Sequence, residues 1–507
     1  MTSKFDFNGL FIFEMANNHQ GSLDHGLEII RVMAGISNAF QIRGAIKLQF
    51  RNLDTFIHPN HKENSANKHI PRFISTRLKD EEFKRLVDET KKLGLISIVT
   101  PFDELSVDLI EKLGVDVVKI GSPSANDWPL LERVSDCGKP VIVSTGGLRA
   151  HDIDKIVSFF QHRGVHFAIM HCVSIYPTPN EKMQLNQIEL LRDRYPGITI
   201  GFSTHEHPDN LDPVKIAYAK GARIFEKHVG IANDKIKLNT YSAAPEQVEK
   251  WIVSYKNAVQ LCGGAHRPPS NQEETASLRS LMRGVYAKRP IKAGSPLLSS
   301  SIYFAMPPEE GQLLSGDWKE HFAADKDYSP NSAIADAVLR QHRPLKKEII
   351  ASIIHELKGA LNSAKIFVGQ NPNVELSHHY GLDRFREHGT ALIDCINREY
   401  CKKIIIQLPG QKHPYHFHKK KEEAFQVLQG RLIVNLAGNE KVLYPGDVLV
   451  VPRAAWHGFY THEGAIFEEV STTHFNDDSF YEDSAINRMP REERKTKLVN
   501  WGSHQFD

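Results

Sequence analysis

The chain is short of several things, and each shortage removes a class of protein. It has 5 cysteines in 507 residues, at positions 137, 172, 262, 395 and 401. None makes a close pair or a zinc-knuckle spacing, which sets aside a disulfide scaffold and fits a reducing compartment. No apolar run approaches the length of a bilayer-spanning helix. The opening residues, Met1-Thr-Ser-Lys-Phe-Asp-Phe7, hold no apolar signal-peptide core, so a cytoplasmic protein without a membrane partner is expected. A dominant charge is missing too. Basic residues number 63 against 61 acidic ones, a net +2, which leaves no electrostatic footprint for nucleic acid. The run Lys419-Lys-Lys421 is answered at once by Glu422 and Glu423. There is no internal repeat and no low-complexity tract. What remains is a globular profile, 41% hydrophobic and 24% charged, at a length that calls for two or three domains.

The first 260 residues alternate short β-type runs with longer amphipathic ones. Strands are expected at 11–17, 45–50, 96–102, 117–122, 141–146, 168–173, 198–205 and 224–229. Between them lie helical patterns such as 80–94, where Phe83, Leu86, Val87 and Leu93 share a face. Eight β–α alternations over about 250 residues have the rhythm of an α/β fold of the (β/α)8 TIM-barrel type. The open doubly wound sheet lacks its Gly-x-Gly-x-x-Gly after the first strand. A Gly/Pro-rich linker, Leu261-Cys-Gly-Gly-Ala-His-Arg-Pro-Pro-Ser270, ends this region. A small β-rich segment follows to about 340, then a helical stretch over 344–364. Beyond 366 short strands return, at 404–408, 424–428, 432–436 and 448–451.

In such a barrel the functional residues sit where strands end and loops begin. The eight ends carry Glu14, Asn17, Asn18 and His19; Lys47 and Gln49; Thr100 and Asp103; and Lys119 and Ser122. They continue with Ser144, Thr145 and Gly146; Ser174 and Tyr176; Ser203, His205 and Glu206; and Glu226, Lys227 and His228. Lysines and hydroxyls beside Gly146-Gly147 suit a phosphate, which takes ammonium charge and backbone N–H donors. Two histidines, His205 and His228, on adjacent strand ends suit one divalent ion acting as a Lewis acid. The residues alone point to a metal-assisted barrel enzyme for a phosphorylated or carbonyl substrate.

Several stretches resemble the sialic acid (N-acetylneuraminate) synthases, in that family's order. They are Glu14-Met-Ala-Asn-Asn-His-Gln-Gly-Ser22, Lys47-Leu-Gln-Phe50, Thr100-Pro-Phe-Asp103, Lys119-Ile-Gly-Ser122 and Ser144-Thr-Gly-Gly147. Tyr176-Pro-Thr-Pro179, Gly201-Phe-Ser-Thr-His205 and Glu226-Lys-His228 complete the set. Residues 279–318 look like the small antifreeze-like (SAF) domain that follows the barrel in those enzymes. The resemblance covers about residues 8–320. It implies condensation of phosphoenolpyruvate with the aldehyde of an N-acyl hexosamine, N-acetylmannosamine-like, giving a nonulosonic 2-keto acid and phosphate. By that likeness His205 and His228 hold Mn2+ or Mg2+. Lys119, Ser122, Ser144, Tyr176 and Ser203 hold phosphoenolpyruvate, and Glu14, Lys47, Thr100 and Glu226 are catalytic. A homodimer is implied, with the small domain over the partner's site. Three stretches depart from the family pattern: Ser174 before Ile-Tyr-Pro, Lys237-Leu-Asn-Thr-Tyr-Ser-Ala-Ala244 after the eighth strand, and Ala305-Met-Pro-Pro-Glu-Glu-Gly311 in the small domain. All three lie where the sugar would be read, which argues against N-acetylmannosamine itself.

A second motif, Gly410-Gln-Lys-His-Pro-Tyr-His416-Phe-His418, precedes Glu423 and Gly430, then Gly446-Asp-Val-Leu-Val-Val-Pro452 and His457. His416 and His418, two apart on a strand, point to one face. With a glutamate and a distant histidine they make a four-ligand set for a divalent transition metal of unspecified identity. The pattern resembles the two cupin signatures, and Glu423 rather than Glu422 fits their spacing to Gly430. The tail Glu468-Glu-Val-Ser-Thr-Thr-His474 resembles a segment of cupin sugar isomerases such as D-lyxose isomerase. His413 and His474 are assigned no role beyond solvent exposure. The expected division is therefore a barrel at 1–265, an SAF-like domain at 275–340, a helical connector at 341–365 and a cupin β-barrel at 366–507. The competing reading is a sugar isomerase or sugar sensor that works through the cupin metal, with a degenerate barrel.

Overall fold

The computed structural model describes residues 4–63, 66–203, 205–265, 267–338, 346–369, 372–499 and 501. The chain divides into two compact units, Met1–Pro269 and Ser270–Asp507. Among the described residues no helix is long and apolar enough to cross a membrane.

The first unit is a closed barrel of eight parallel strands in chain order. They are β1 (Leu10–Glu14), β2 (Arg43–Phe50), β3 (Ile96–Pro101), β4 (Val117–Ile120), β5 (Val141–Ser144), β6 (Phe167–Cys172), β7 (Thr199–Ser203) and β8 (Ile224–His228). Each expected window overlaps one. Pairing of β1 with β8, Leu10 opposite Ile224 through Glu14 opposite His228, closes the ring. The expected helix at 80–94 spans Asp80–Lys92, with three acidic residues in its first turn and Lys91 and Lys92 in its last. Those charges oppose the helix dipole at both ends. Gly94, at φ +76°, takes the left-handed conformation just beyond it.

Strand side chains alternate between two environments. Outward residues such as Phe11, Phe13, Ile46, Leu48, Val99, Phe202 and Phe225 join the helices in the main core. Inward residues Leu10, Ile12, Ala45, Ile98, Val117, Ile142, Ala168, Met170 and Ile224 fill the barrel floor. Gly201 is required there, because a Cβ would lie 2.8 Å from Met170 Cγ and 2.9 Å from Ile224 Cβ. Continuing the same alternation along each strand brings polar residues above that apolar floor.

In the second unit, β9 (Gly284–Ala287) and β10 (Ile302–Ala305) pair antiparallel. Val285, Leu297, Ile302, Leu313 and Ile334 form a small core around them. The expected boundary at 340/341 and helix start at 344 lie outside the described residues. The helix is seen from Lys346 to Ser363. It is more than a connector: Ile353, Ile354, Leu357 and Leu361 are buried in one cluster with Val374, Ile393 and Ile406 of the following sheet.

That sheet and its partner use twelve strands: β11 (Asn373–Ser377), β12 (Thr390–Asn397), β13 (Tyr400–Gln407), β14 (Lys412–Phe417), β15 (Glu423–Gly430), β16 (Leu432–Leu436), β17 (Asn439–Leu443), β18 (Val448–Val451), β19 (His457–Tyr460), β20 (Ala465–Thr472), β21 (Phe480–Tyr481) and β22 (Lys495–Leu498). Seven form a sheet in the order β18-β15-β20-β13-β12-β11-β22, and five a second in the order β17-β16-β19-β14-β21. Phe425, Val427, Leu432, Val434, Phe459 and Phe467 make an apolar core with residues from both sheets. This two-sheet β fold is the cupin architecture expected from the sequence.

Candidate functional site

In the barrel, Glu14, Lys47, Thr100, Lys119, Ser144, Ser203 and Glu226 are all buried. Glu226 is their hub. Its Oε1 accepts from Lys47 Nζ at 2.8 Å and from Ser203 Oγ at 3.0 Å, and its Oε2 lies 3.7 Å from Lys119 Nζ. Lys47 also pairs with Glu14, and Lys119 donates to Ser144 Oγ. Burial alone would raise the Glu226 carboxyl, but the Lys119 and Lys47 ammoniums hold it down at about 2. Glu14 goes the other way: burial, reinforced by the Glu226 charge, outweighs Lys47 and raises its carboxyl. Two carboxylates around one lysine are thus pushed apart, the usual basis for separating an acid from a base. Burial lowers Lys119. Thr100 Oγ1 is buried without a hydrogen-bond partner.

Ser122 sits beside this cluster. Its Oγ accepts from the Gly146 N–H at 3.0 Å. A Cβ on Gly146 would fall 2.6 Å from Ser174 Oγ and 2.7 Å from Ser122 Oγ. Glycine here keeps two hydroxyls within reach of one another, as a small anion would need. His205 and His228 come together at the barrel mouth with ring centroids 5.2 Å apart. Burial pulls both below the usual imidazole value, His228 furthest, so each is neutral and able to ligate. His205 Nδ1 faces the Val173 carbonyl at 3.0 Å, which turns Nε2 into the site. Tyr176 packs on His205 at 4.1 Å and remains 53% exposed, open to a ligand. Tyr241, unassigned by sequence reading, stands edge-on to both histidines. Thr204 of the same motif lies outside the described residues.

Three strand-end candidates are structural. Asp103 caps the helix Glu104–Lys112, accepting from Ser106 N at 2.8 Å. Asn18 Nδ2 donates to the Val229 carbonyl and to Ser242 Oγ. Lys227 faces away from the barrel interior, donating to Glu206 at 2.6 Å, 5.7 Å from the Trp251 ring.

In the cupin, ligand-capable atoms of His416, His418 and His457 lie within 4.8 Å of one another, all three residues buried. Each Nδ1 meets a backbone carbonyl: Pro414 at 3.0 Å for His416, Asp478 for His418 and Ala455 at 3.0 Å for His457. That pattern places the proton on Nδ1 and leaves three Nε2 lone pairs facing inward. Glu423 joins them, 3.4 Å from His418 Nε2 and 3.0 Å from His457 Nε2. Burial notwithstanding, Lys421 holds the Glu423 carboxyl well below its usual range. With the Nδ1–H turned to the Ala455 carbonyl, His457 Nε2 and the Glu423 oxygen 3.0 Å from it are both acceptors. A cation between them resolves that contact, so the donor set fits a divalent metal. Asp478 fixes the loop behind His418, accepting from the backbone N–H groups of Lys419, Lys420 and Lys421.

His413 and His474 correct the sequence reading: both line the cupin cavity and neither is exposed. Burial pushes them down, to about 3 and about 2. His413 Nε2 is 3.2 Å from Nε2 of His379, a residue no motif had marked. Lys403, Lys421, Glu469 and Lys495 complete the polar wall. An alternating strand pattern would have flagged Lys403 and Glu469 as inward charges, but only once the inward face was known.

Residues 36–267 match the model of the NeuB family, and residues 404–468 match that of the cupin domain. A Methanocaldococcus jannaschii protein, uncharacterized protein MJ1065, is 32% identical over 298 residues, covering 58% of this chain and 84% of its own. Human N-acetylneuraminate-9-phosphate synthase is 26% identical over 312 residues, covering 59% of this chain and 85% of that one. The crystal structure of a candidate spore coat polysaccharide biosynthesis protein E from Chromobacterium violaceum is 46% identical. It covers 66% of this chain and 99% of its own, with a TM-score of 0.64. The barrel cluster, the order of its motifs and these likenesses agree: the chain belongs to the NeuB family of sialic-acid-synthase-like enzymes and carries a cupin domain after it.

Proposed function

We propose that the barrel condenses phosphoenolpyruvate with the aldehyde of an N-acyl hexosamine, giving a sialic-acid-type 2-keto acid and phosphate. The observation that carries this reading is Glu226 bonded to Lys47 and Ser203 and facing Lys119, below two neutral histidines. Lys119 and Ser144, with Ser122 beside the Gly146 N–H, offer charge and donors to the phosphate. Ser203 and Tyr176 hold the enol end. Glu14, Lys47 and Thr100 face the reacting atoms or the sugar, and Glu14, with its raised carboxyl, is the group suited to carry a proton. His205 and His228 would hold Mn2+ or Mg2+, which when bound supplies a Lewis acid for the aldehyde. His416, His418, Glu423 and His457 would hold a second divalent metal in the cupin.

The same reading makes the molecule a cytoplasmic homodimer. It divides the chain into a barrel at 1–265, an SAF-like domain at 275–340, a helical segment at 341–365 and the cupin at 366–507. A degenerate barrel is disfavoured by the complete lysine–carboxylate cluster. The metal-ready cupin favours a second, sugar-directed role alongside the synthase. The test is phosphate release from phosphoenolpyruvate with Mn2+ and a panel of 2-acylamido hexoses. Sugar-dependent release is expected. Folded, metal-loaded protein that releases none with any acceptor would overturn the proposal.

A further inference from the structure

The cupin cavity has lining residues that the metal set does not explain. Lys403, Lys421, Lys495, Glu469 and His474 line it together with the ligand candidates. Lys421 is committed to Glu423 and to Glu469, the latter at 2.9 Å. Lys495 pairs with Glu375 at 2.5 Å, but Glu375 is shared with Arg491 at 3.4 Å. Lys403 is 4% exposed, and its ion-pair partner among the described residues is Asp394, 3.7 Å away with a side chain 33% exposed. So deep an ammonium, without a hydrogen-bonded counterion, is costly unless a ligand completes it.

His474 lies among these lysines, and their charges add to burial in keeping its ring neutral. Its Nδ1 is buried without a partner. Its backbone is clamped on both sides by Asn397, which accepts from the His474 N–H at 3.0 Å and donates to its carbonyl at 3.1 Å. The ring is thus a positioned, unsatisfied polar group.

We propose that Lys403, Lys495 and His474 form a carboxylate subsite, and that the cupin binds a sugar acid whose hydroxyl or keto oxygens reach the His416/His418/Glu423/His457 centre. This rests on reading that centre as a metal site. Lys403, whose nearest carboxylate among the described residues is 3.7 Å away, and the unpaired Nδ1 of His474 offer a cation and a polar atom to one carboxylate. A phosphate dianion would bring a second charge up to Glu469 and, behind the wall, Glu375. The ligand class is that of the barrel's own proposed product, an acid with a polyhydroxy chain, which ties the two units through one family of compounds.

The test is calorimetric titration of the Mn2+-loaded full chain with 2-keto-3-deoxy-D-gluconate, D-galacturonate, D-galactose and D-glucose 6-phosphate, alongside metal analysis. At least one of the two acids should bind, and Lys403→Met should weaken it tenfold or more with bound metal unchanged. Lys403→Arg should retain most of the affinity, which separates loss of charge from loss of fold. Dependence on Lys403 places the binding in the cupin rather than the barrel. Absence of binding by either acid, equal affinity for D-galactose, preference for the phosphate, or indifference to Lys403→Met would each overturn the subsite. Lys403-dependent binding of an acid with no metal in the cupin would leave the subsite standing and remove the metal reading instead.

Discussion

At the scale of single residues, Glu226 decides the barrel site. Replacing it with Gln leaves Lys119 buried without its main counter-charge and Lys47 with Glu14 alone. Breaking one side of a buried ion pair costs roughly 3–5 kcal/mol. Glu226→Gln is expected to fold with a lowered melting temperature and to release phosphate at least a hundredfold more slowly than the parent. Calorimetry and the phosphate assay read the two effects separately. The carboxyl at about 2 lies below its ordinary 4.5, so its stabilising contribution is complete above pH 4.5 and disappears only as pH falls toward 2. Acid sensitivity nearer neutrality must come from other groups.

At the scale of elements, the barrel depends on alternation, and Gly201 shows how tightly. In Gly201→Ala the new methyl meets Met170 and Ile224 within 3 Å. Overpacking of this kind costs about 1–3 kcal/mol, and a fall in melting temperature of several degrees is expected. Wild-type stability would show that the floor can shift to accept it. The strands themselves were legible in sequence, because each is a short apolar run ending in polar residues. The same ends pointed to Glu14, Lys47, Lys119, Ser144, Ser203 and Glu226, since the inward positions toward the C-terminal end of a barrel strand are its most informative. The cupin was legible only in part. His416, His418, Glu423 and His457 share a spacing that announces a ligand set. His379, Lys403 and Lys495 come from strands or loops far apart in the chain, and no local pattern connects them. His413 and His474 lie within the quoted stretches, yet their burial follows from how the two sheets face each other. The helix Lys346–Ser363 looked like a spacer because its amphipathic pattern does not say what covers it.

At the scale of the molecule, buried neutral histidines make the fold acid-labile. His19 is pushed to about 4 by burial, with His25 and Arg72 adding to it, and His474 to about 2. Both stay neutral in the folded chain while the unfolded chain protonates near 6.5. The unfolded state therefore binds more protons below that value, and stability falls as pH drops. Each such group is worth about 1 kcal/mol between pH 7.5 and 5.5. Denaturant midpoints should decline over that interval, and flat midpoints would contradict the burial of these rings. The two proposed metal sites give a second expectation. His228→Ala and His418→Ala should each lose about one equivalent of bound metal while the other site stays filled, as elemental analysis of the purified variants would show.

The barrel and the cupin each pair their first strand with their last described one. In the barrel, Leu10 of β1 meets Ile224 of β8. In the cupin, Val374 of β11 meets Leu498 of β22. On a ribosome this sets a timetable, because neither the closed barrel nor the seven-stranded cupin sheet can be completed until its final strand has emerged. The barrel can close while the cupin is still being made. The cupin waits for residues 495–498, keeping one side of β11 open to any passing strand until they arrive.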